Sequence, residues 1–135
     1  MIKASSALQS QSTSNVCSFA QRGALEALKT NQEFFLKING HYDLRREILY
    51  QGLKNIEGLF IQPPNGAFYA FPRLPDNSMT SVEFCKKLLD DYGLVVVPGK
   101  PFGNDQCFRM SCASSKEKII DGLSRLKRAI SEYYF

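Results

Sequence analysis

The sequence predicts an α+β fold in which a small sheet of about three to four strands is covered by helices. Helical periodicity runs through four segments, and short apolar runs bounded by turn residues lie between them. A length of 135 residues with 44% hydrophobic and 22% charged side chains is enough for one core. This length argues against more than two domains.

The first half of the chain predicts two helices. The opening "SSALQSQSTSN" has the composition of a linker, and Ser14 or Asn15 at its end can cap a helix. "VCSFAQRGALEALK" then places Val16, Phe19 and Leu28, with several alanines, at helical spacing. A longer amphipathic helix is predicted from Asn31 to about Asn55.

Two strands are predicted after Gly58, which ends the helical pattern. They are "LFIQ" and "AFYAFP", and the intervening "PPNG" favours a turn. Alternation in the second strand puts Phe68 and Ala70 on one face, with Tyr69 and Phe71 on the other.

The second half predicts a helix, two strands and a last helix. Thr80 and Glu83 have the spacing of a capping box, and Gly93 ends the helix that they begin. The predicted inward stripe is Val82, Cys85, Leu88, Leu89 and Tyr92. "LVVVP" follows as a buried strand, "GKPFGND" as a loop and "CFRMSCA" as the last strand.

A final helix is predicted from a second capping-box spacing to the end of the sequence. Ser114 and Glu117 have that spacing. The inward stripe is Ile119, Leu123, Leu126, Ile130 and Tyr133 or Tyr134.

Arg109, in the last strand, is the residue that most needs a partner. Alternation puts it on the opposite face from Phe108 and Met110, next to small side chains. A guanidinium keeps its proton, so a half-buried arginine requires an anion. That anion is either a carboxylate of the protein, for example Asp90, Asp91, Asp105 or one on a helix, or the carboxylate of a ligand held by two parallel hydrogen bonds.

Several other classes of site lack their sequence signals. The four cysteines have no C-x-x-C spacing, and His41 is the single histidine, so a metal site is not expected. We expect the cysteines to be reduced and partly buried. Nucleotide-binding, metalloprotease and hydrolase motifs are absent from the sequence.

Charge and hydropathy set expectations about location and partners. The net charge of +4 is dispersed, which gives nucleic-acid binding little support. The apolar runs are far shorter than the ~20 residues that span a bilayer, so we expect no membrane contact and a cytoplasmic protein.

Four segments in order resemble the C-terminal part of class I/II aminotransferases, particularly the bacterial aspartate aminotransferase branch. They are "QSQSTSN", "PNGAFYAFP", "VVVPGKPFG" and "FRMSCASSKEKIIDGLSRLKRAI". These enzymes are pyridoxal-phosphate-dependent transferases of fold type I. The resemblance implies that residues 1–30 are the tail of a large cofactor-binding domain and that residues 31–135 are the small C-terminal domain with its connecting helix.

The resemblance also implies roles for individual residues. Arg109 would bind the α-carboxylate of the amino-acid substrate, and this favours a ligand over an internal carboxylate as its partner. Phe68 would lie near the substrate, while Ser14 and Asn15 would reach the cofactor across a homodimer interface. The substrates would be an amino acid, with aspartate as first candidate, and a 2-oxo acid.

The chemistry of these enzymes needs a lysine that forms a Schiff base with the cofactor. Lys3 and Lys100 do not stand in the sequence context of that lysine, so the chain has no predicted catalytic residue. The chain alone is expected neither to bind pyridoxal phosphate nor to transaminate. The alternatives are a free-standing, non-catalytic binding or regulatory module with the same fold and, less favoured, a nucleic-acid binder.

Overall fold

The first part of the chain is helical and fully exposed. The computed structural model describes residues 1–75 and 79–135, which form two compact units, Met1–Lys37 and Ile38–Phe135. The first unit holds α1 (Ile2–Thr13), α2 (Ser18–Lys29) and the beginning of α3 (Gln32–Lys54). All side chains of residues 1–37 are exposed, so this unit has no core of its own. The domain boundary expected after residue 30 stays a prediction.

The beginning of the chain differs from the prediction of a linker. It forms α1 because alanine, leucine, lysine and glutamine favour the helix and no glycine or proline interrupts it. Ser14 and Asn15 do not cap α2, whose N-cap is Cys17 without a side-chain hydrogen bond. Helix α3 agrees with the predicted helix to within one residue at each end.

A three-stranded antiparallel sheet lies at the centre of the second unit. Its strands are β1 (Tyr69–Ala70), β2 (Val97–Pro98) and β3 (Phe108–Ser111), in the order β1-β3-β2. β3 pairs with β1 through Tyr69 opposite Ser111 and with β2 through Val97 opposite Arg109. The α+β prediction with a sheet of three to four strands is therefore confirmed.

The four predicted strands are all shorter in the structure, and in "AFYAFP" and "CFRMSCA" the strand residues are Tyr69–Ala70 and Phe108–Ser111. "LFIQ" contributes one isolated bridge, from Phe60 to Arg73, because Pro63 and Pro64 follow at once and have no N–H to extend a ladder. In "LVVVP" the paired residues are Val97 and Pro98. The preceding Val95 is 75% exposed, so the predicted burial of this segment is wrong in part.

Helix α4 (Ser81–Tyr92) has the predicted ends but a different inward stripe. Thr80 and Glu83 form the complete capping box, and Gly93 adopts the left-handed conformation at the C-cap. The buried residues of α4 are Ser81, Phe84, Cys85 and Leu88. The predicted Val82 and Leu89 are each 48% exposed, because the buried face of the helix includes Ser81 in their place.

Helix α5 (Lys116–Tyr134) begins one residue later than predicted. Its N-cap is Ser115, whose Oγ accepts a hydrogen bond from the Lys118 N–H at 3.3 Å, so Ser114 with Glu117 does not form the cap. The predicted stripe of Ile119, Leu123, Leu126 and Ile130 is buried. With Leu49 and Leu53 of α3 and Phe108 of β3, this stripe forms the core beneath the sheet.

Candidate carboxylate-binding site

Arg109 occupies the central strand of the sheet, on the face away from the helices. Its neighbours Phe108 and Met110 are buried in the core, whereas Arg109 is half-buried and Ser111 is exposed. This confirms the predicted alternation. The guanidinium therefore lies on the open face of the sheet, flanked by strands on both sides.

Two aromatic rings hold the guanidinium. Its carbon lies 4.3 Å from the centre of the Tyr69 ring on β1 and 4.8 Å from the centre of the Phe102 ring. A guanidinium that packs over ring faces keeps its N–H groups directed sideways, where they can still donate hydrogen bonds. The two rings thus restrict the position of Arg109 through cation–π contacts.

Arg109 forms no ion pair with a carboxylate of residues 1–75 or 79–135. Two of the three aspartates considered as internal partners are hydrogen-bonded to other residues. Asp105 accepts from Ser81 at 2.6 Å, and Asp91 accepts from the Tyr133 hydroxyl at 2.7 Å. In the described part of the chain, the guanidinium is available to an anion from outside.

Phe102 belongs to a short 3₁₀ helix, Lys100–Phe102, in the loop between β2 and β3. Gly99 precedes it and donates its N–H to the Cys107 carbonyl at 2.8 Å. A side chain at Gly99 would lie 2.3 Å from the carbonyl oxygens of Asn104 and Cys107, so only glycine fits there. This close backbone approach shapes the loop that places Phe102.

Phe68 lies just before β1 and is joined to the site through Tyr69. Its ring centre is 4.5 Å from that of Tyr69, and its carbonyl accepts the Cys112 N–H at 2.9 Å. On the other side, Phe68 and Tyr42 line a cavity of about 440 Å³ together with Arg46, which pairs with Asp43 at 3.1 Å. The structure therefore brings Phe68 and Arg109 together through one shared ring.

Ser14 and Asn15 lie in the first unit, in the bend between α1 and α2. Both are exposed, and Ser14 has a positive φ of 58°. They line a hollow of about 270 Å³ with Ser6, Gln9, Ser10 and Val16. Their side chains offer hydroxyl and amide groups but no cation for a phosphate, and their predicted cofactor role stays a prediction.

The lysines of the chain do not have the surroundings that activate a Schiff-base lysine. A lysine that forms a Schiff base is activated by removal from water or by a neighbouring cation. Each lysine of the chain is exposed. Among the described residues there is also no group of three or more histidine, cysteine, aspartate or glutamate side chains that could hold a metal ion.

The other predicted features of the chain have mixed outcomes. The cysteines are free, and Cys85, Cys107 and Cys112 are buried as expected, but Cys17 is exposed. His41 is exposed on α3. In residues 1–75 and 79–135, no helix has both the length and the apolar character required to cross a bilayer.

Tyr69 and Phe102 were not among the predicted site residues. The signal for Tyr69 was present, because alternation put it on the face opposite Ala70 and hence on the open side of the sheet. The position of Phe102 depends on a 3₁₀ helix that no local pattern announced.

Comparison with known proteins identifies relatives along nearly the whole chain. The sequence model of the family "Aminotransferase class I and II" matches residues 2–126. An aspartate aminotransferase of Pyrococcus horikoshii is 35% identical over 96% of the chain, and a probable aspartate/prephenate aminotransferase of Aquifex aeolicus is 37% identical over 96%. The chain spans about a third of these relatives, 34% of each.

A solved structure gives the same result for the fold. The aspartate aminotransferase of Rhizobium meliloti superposes with a TM-score of 0.81 at 34% sequence identity. The match covers 96% of this chain and 35% of that enzyme.

Proposed function

The chain belongs to the class I and II aminotransferase family and corresponds to a C-terminal part of its members, and from this we propose that it supplies the substrate-carboxylate site of an aminotransferase. The complete enzyme would transfer an amino group between an amino acid, with aspartate as first candidate, and a 2-oxo acid. The observation that carries the proposal is the placement of Arg109, which lies between two rings on an open sheet face without a carboxylate partner among the described residues.

Arg109 would bind and orient the substrate. Two parallel N–H groups of its guanidinium match the two oxygens of a carboxylate, which fixes direction as well as position. Packing on Tyr69 and Phe102 restricts the side chain before the ligand arrives, so less conformational entropy is lost on binding. Phe68, in contact with Tyr69, would shield one side of the bound molecule from water.

Pyridoxal phosphate would supply the electron sink for amino-group transfer in the complete enzyme. Because the lysines of this chain are exposed, we assign no Schiff-base residue here and expect the cofactor to be held by other parts of the parent. Ser14 and Asn15 are proposed to approach it in a homodimeric, cytoplasmic parent. The exposed apolar side chains of the first unit, among them Val16, Phe19 and Leu28, support an interface there.

The test compares this chain with the longer polypeptide, if any, encoded by the same reading frame. We expect amino transfer from aspartate to 2-oxoglutarate by the longer polypeptide with pyridoxal phosphate, and none by the chain alone. Arg109→Ala in the active form should weaken aspartate binding by about 1.5–3 kcal/mol, the contribution of a charged hydrogen-bonded pair. This corresponds to a loss of about 10- to 150-fold in affinity.

Two outcomes would contradict the proposal. Unchanged aspartate affinity in Arg109→Ala would remove the carboxylate role. A reading frame that ends at this chain, with carboxylate binding but no transfer, would favour a non-catalytic binding module instead.

A further inference from the structure

The loop that carries Phe102 is closed on itself by backbone hydrogen bonds. The Phe102 N–H donates to the Gly99 carbonyl at 2.8 Å, and the Cys107 N–H donates to the Asn104 carbonyl at 3.3 Å. The loop is therefore a compact body, and whatever fixes its two ends also fixes the ring that packs on Arg109.

Ser81, the first residue of α4, is attached to both ends of this loop. Its hydroxyl donates to Asp105 Oδ1 at 2.6 Å and accepts the Lys100 N–H at 3.2 Å. The Ser81 backbone N–H also lies 3.0 Å from the same carboxylate oxygen. Ser81 is completely buried, so its hydroxyl is shielded from water and depends on these bonds.

The hydrogen bonds of the Ser81 hydroxyl do not cap helix α4. Helix α4 already has a complete capping box, made by Thr80 and Glu83 within its own first turn. The hydroxyl of Ser81 instead bonds to residues 19 and 24 positions further along the chain. Its bonds therefore connect the helix to the loop.

The charge of Asp105 fits this role. The hydrogen bond from the Ser81 hydroxyl, followed by the bond from its backbone N–H, holds the pKa of the Asp105 carboxyl below its usual value, and Lys100 acts in the same direction. Asp105 is thus a carboxylate at neutral pH and a strong acceptor for Ser81.

We propose that Ser81 and Asp105 are positioning residues, which hold the loop 99–105 so that the Phe102 ring stays against Arg109 and fixes the direction of its N–H donors. The link from Ser81 to Arg109 through Phe102 is a property of the chain without a bound ligand. The consequence for carboxylate binding rests on the proposed function.

The link is tested on the full chain by NMR. An aromatic ring shifts the resonances of protons over its face, so the Arg109 side-chain protons report the position of Phe102. We expect Ser81→Ala and Asp105→Ala to remove most of the shift that Phe102 causes, defined as the difference between wild type and Phe102→Leu. Asp105→Asn keeps an acceptor oxygen and should retain most of it.

Thr80→Ala is the matched control. It removes the cap of the same helix from the neighbouring position but has no hydrogen bond to the loop. We expect it to lower stability and to leave the Arg109 resonances unchanged. An equal effect of Thr80→Ala and Ser81→Ala, or unchanged Arg109 resonances in both Ser81→Ala and Asp105→Ala, would overturn the proposal.

Titration with maleate, a dicarboxylate, tests carboxylate binding at Arg109 separately from the link between Ser81 and Phe102. Weaker maleate binding in Asp105→Ala than in Asp105→Asn, together with the loss of the ring shift, supports both. Loss of the ring shift in a chain that does not bind maleate at all would support the link and contradict the carboxylate site. Full maleate affinity in Asp105→Ala would contradict the positioning role in binding.

Discussion

Tyr69 lies directly opposite Ser111 in the sheet, and this register places its ring 4.3 Å from the guanidinium carbon of Arg109, two residues before Ser111 on the same face. Diagonal neighbours in an antiparallel pair are within reach of an aromatic side chain. The register of two short strands therefore decides which ring supports the arginine, and the consequences can be measured.

Tyr69→Ala should weaken carboxylate binding at Arg109. A cation–π contact contributes about 0.5–2 kcal/mol, and more when it is shielded from water than when it is exposed. We therefore expect a loss of about 2- to 30-fold in affinity for maleate. Tyr69→Phe keeps the ring and should bind like the wild type. Equal binding by the alanine and phenylalanine variants would show that the ring does not support Arg109.

Gly99→Ala should disrupt the loop that carries Phe102. The new methyl group would lie 2.3 Å from two backbone carbonyl oxygens, which cannot move without opening the loop. We expect the free energy of unfolding to fall by about 1–3 kcal/mol, as in other overpacked sites. Urea denaturation measures this change.

Gly40→Ala is the control for that substitution. Gly40 lies within α3, and a methyl group there meets no atom within 4 Å. Replacing a helical glycine by alanine should raise the free energy of unfolding by about 0.5–1 kcal/mol. A similar loss of stability in both variants would contradict the crowding at Gly99.

Two adjacent leucines of α4 should differ sharply in their contribution to stability. Leu88 is 0% exposed in the core, whereas Leu89 is 48% exposed. Leu88→Ala should cost about 2–5 kcal/mol through lost burial and the cavity left behind. Leu89→Ala should cost less than about 1 kcal/mol, because much of its side chain already contacts water. Comparable costs would support the inward stripe that the sequence predicted.

One of the four thiols should react rapidly in the folded chain. Cys17 is exposed, while Cys85, Cys107 and Cys112 are buried. Burial raises the pKa of the Cys85 thiol to about 11 and also raises the pKa of the other two, which removes the reactive thiolate at neutral pH. Ellman's reagent should therefore label one thiol in the native chain and four in denaturant. Cys17→Ser should abolish the rapid phase, and a remaining rapid phase would show that a buried cysteine is accessible.

The local sequence predicted the ends of helix α4 but only part of its buried face. Thr80, Glu83 and Gly93 fixed both ends of α4 because a cap depends on residues within one turn of each other. The inward face of the same helix was predicted wrongly in part. Ser81 is a polar residue whose burial depends on Asp105, and no periodicity within α4 could reveal that partner.

The candidate site was likewise predicted only in part from the sequence. Its central residue followed from alternation in "CFRMSCA" and from the resemblance to a family, and the family is confirmed by the match to residues 2–126. The rings around Arg109 did not follow. Phe102 reaches the guanidinium from a loop that is shaped by Gly99 and attached to α4.

The sequence by itself determined the ends of α4, the alternation of the last strand and the need of Arg109 for an anion, because each depends on residue type and short spacing. The tertiary structure alone decided which rings flank the guanidinium, that Asp105 bonds to Ser81, and that the described carboxylates leave Arg109 unpaired. These contacts join residues that the folded chain brings together across 7 to 40 positions, over which propensity and periodicity carry no information.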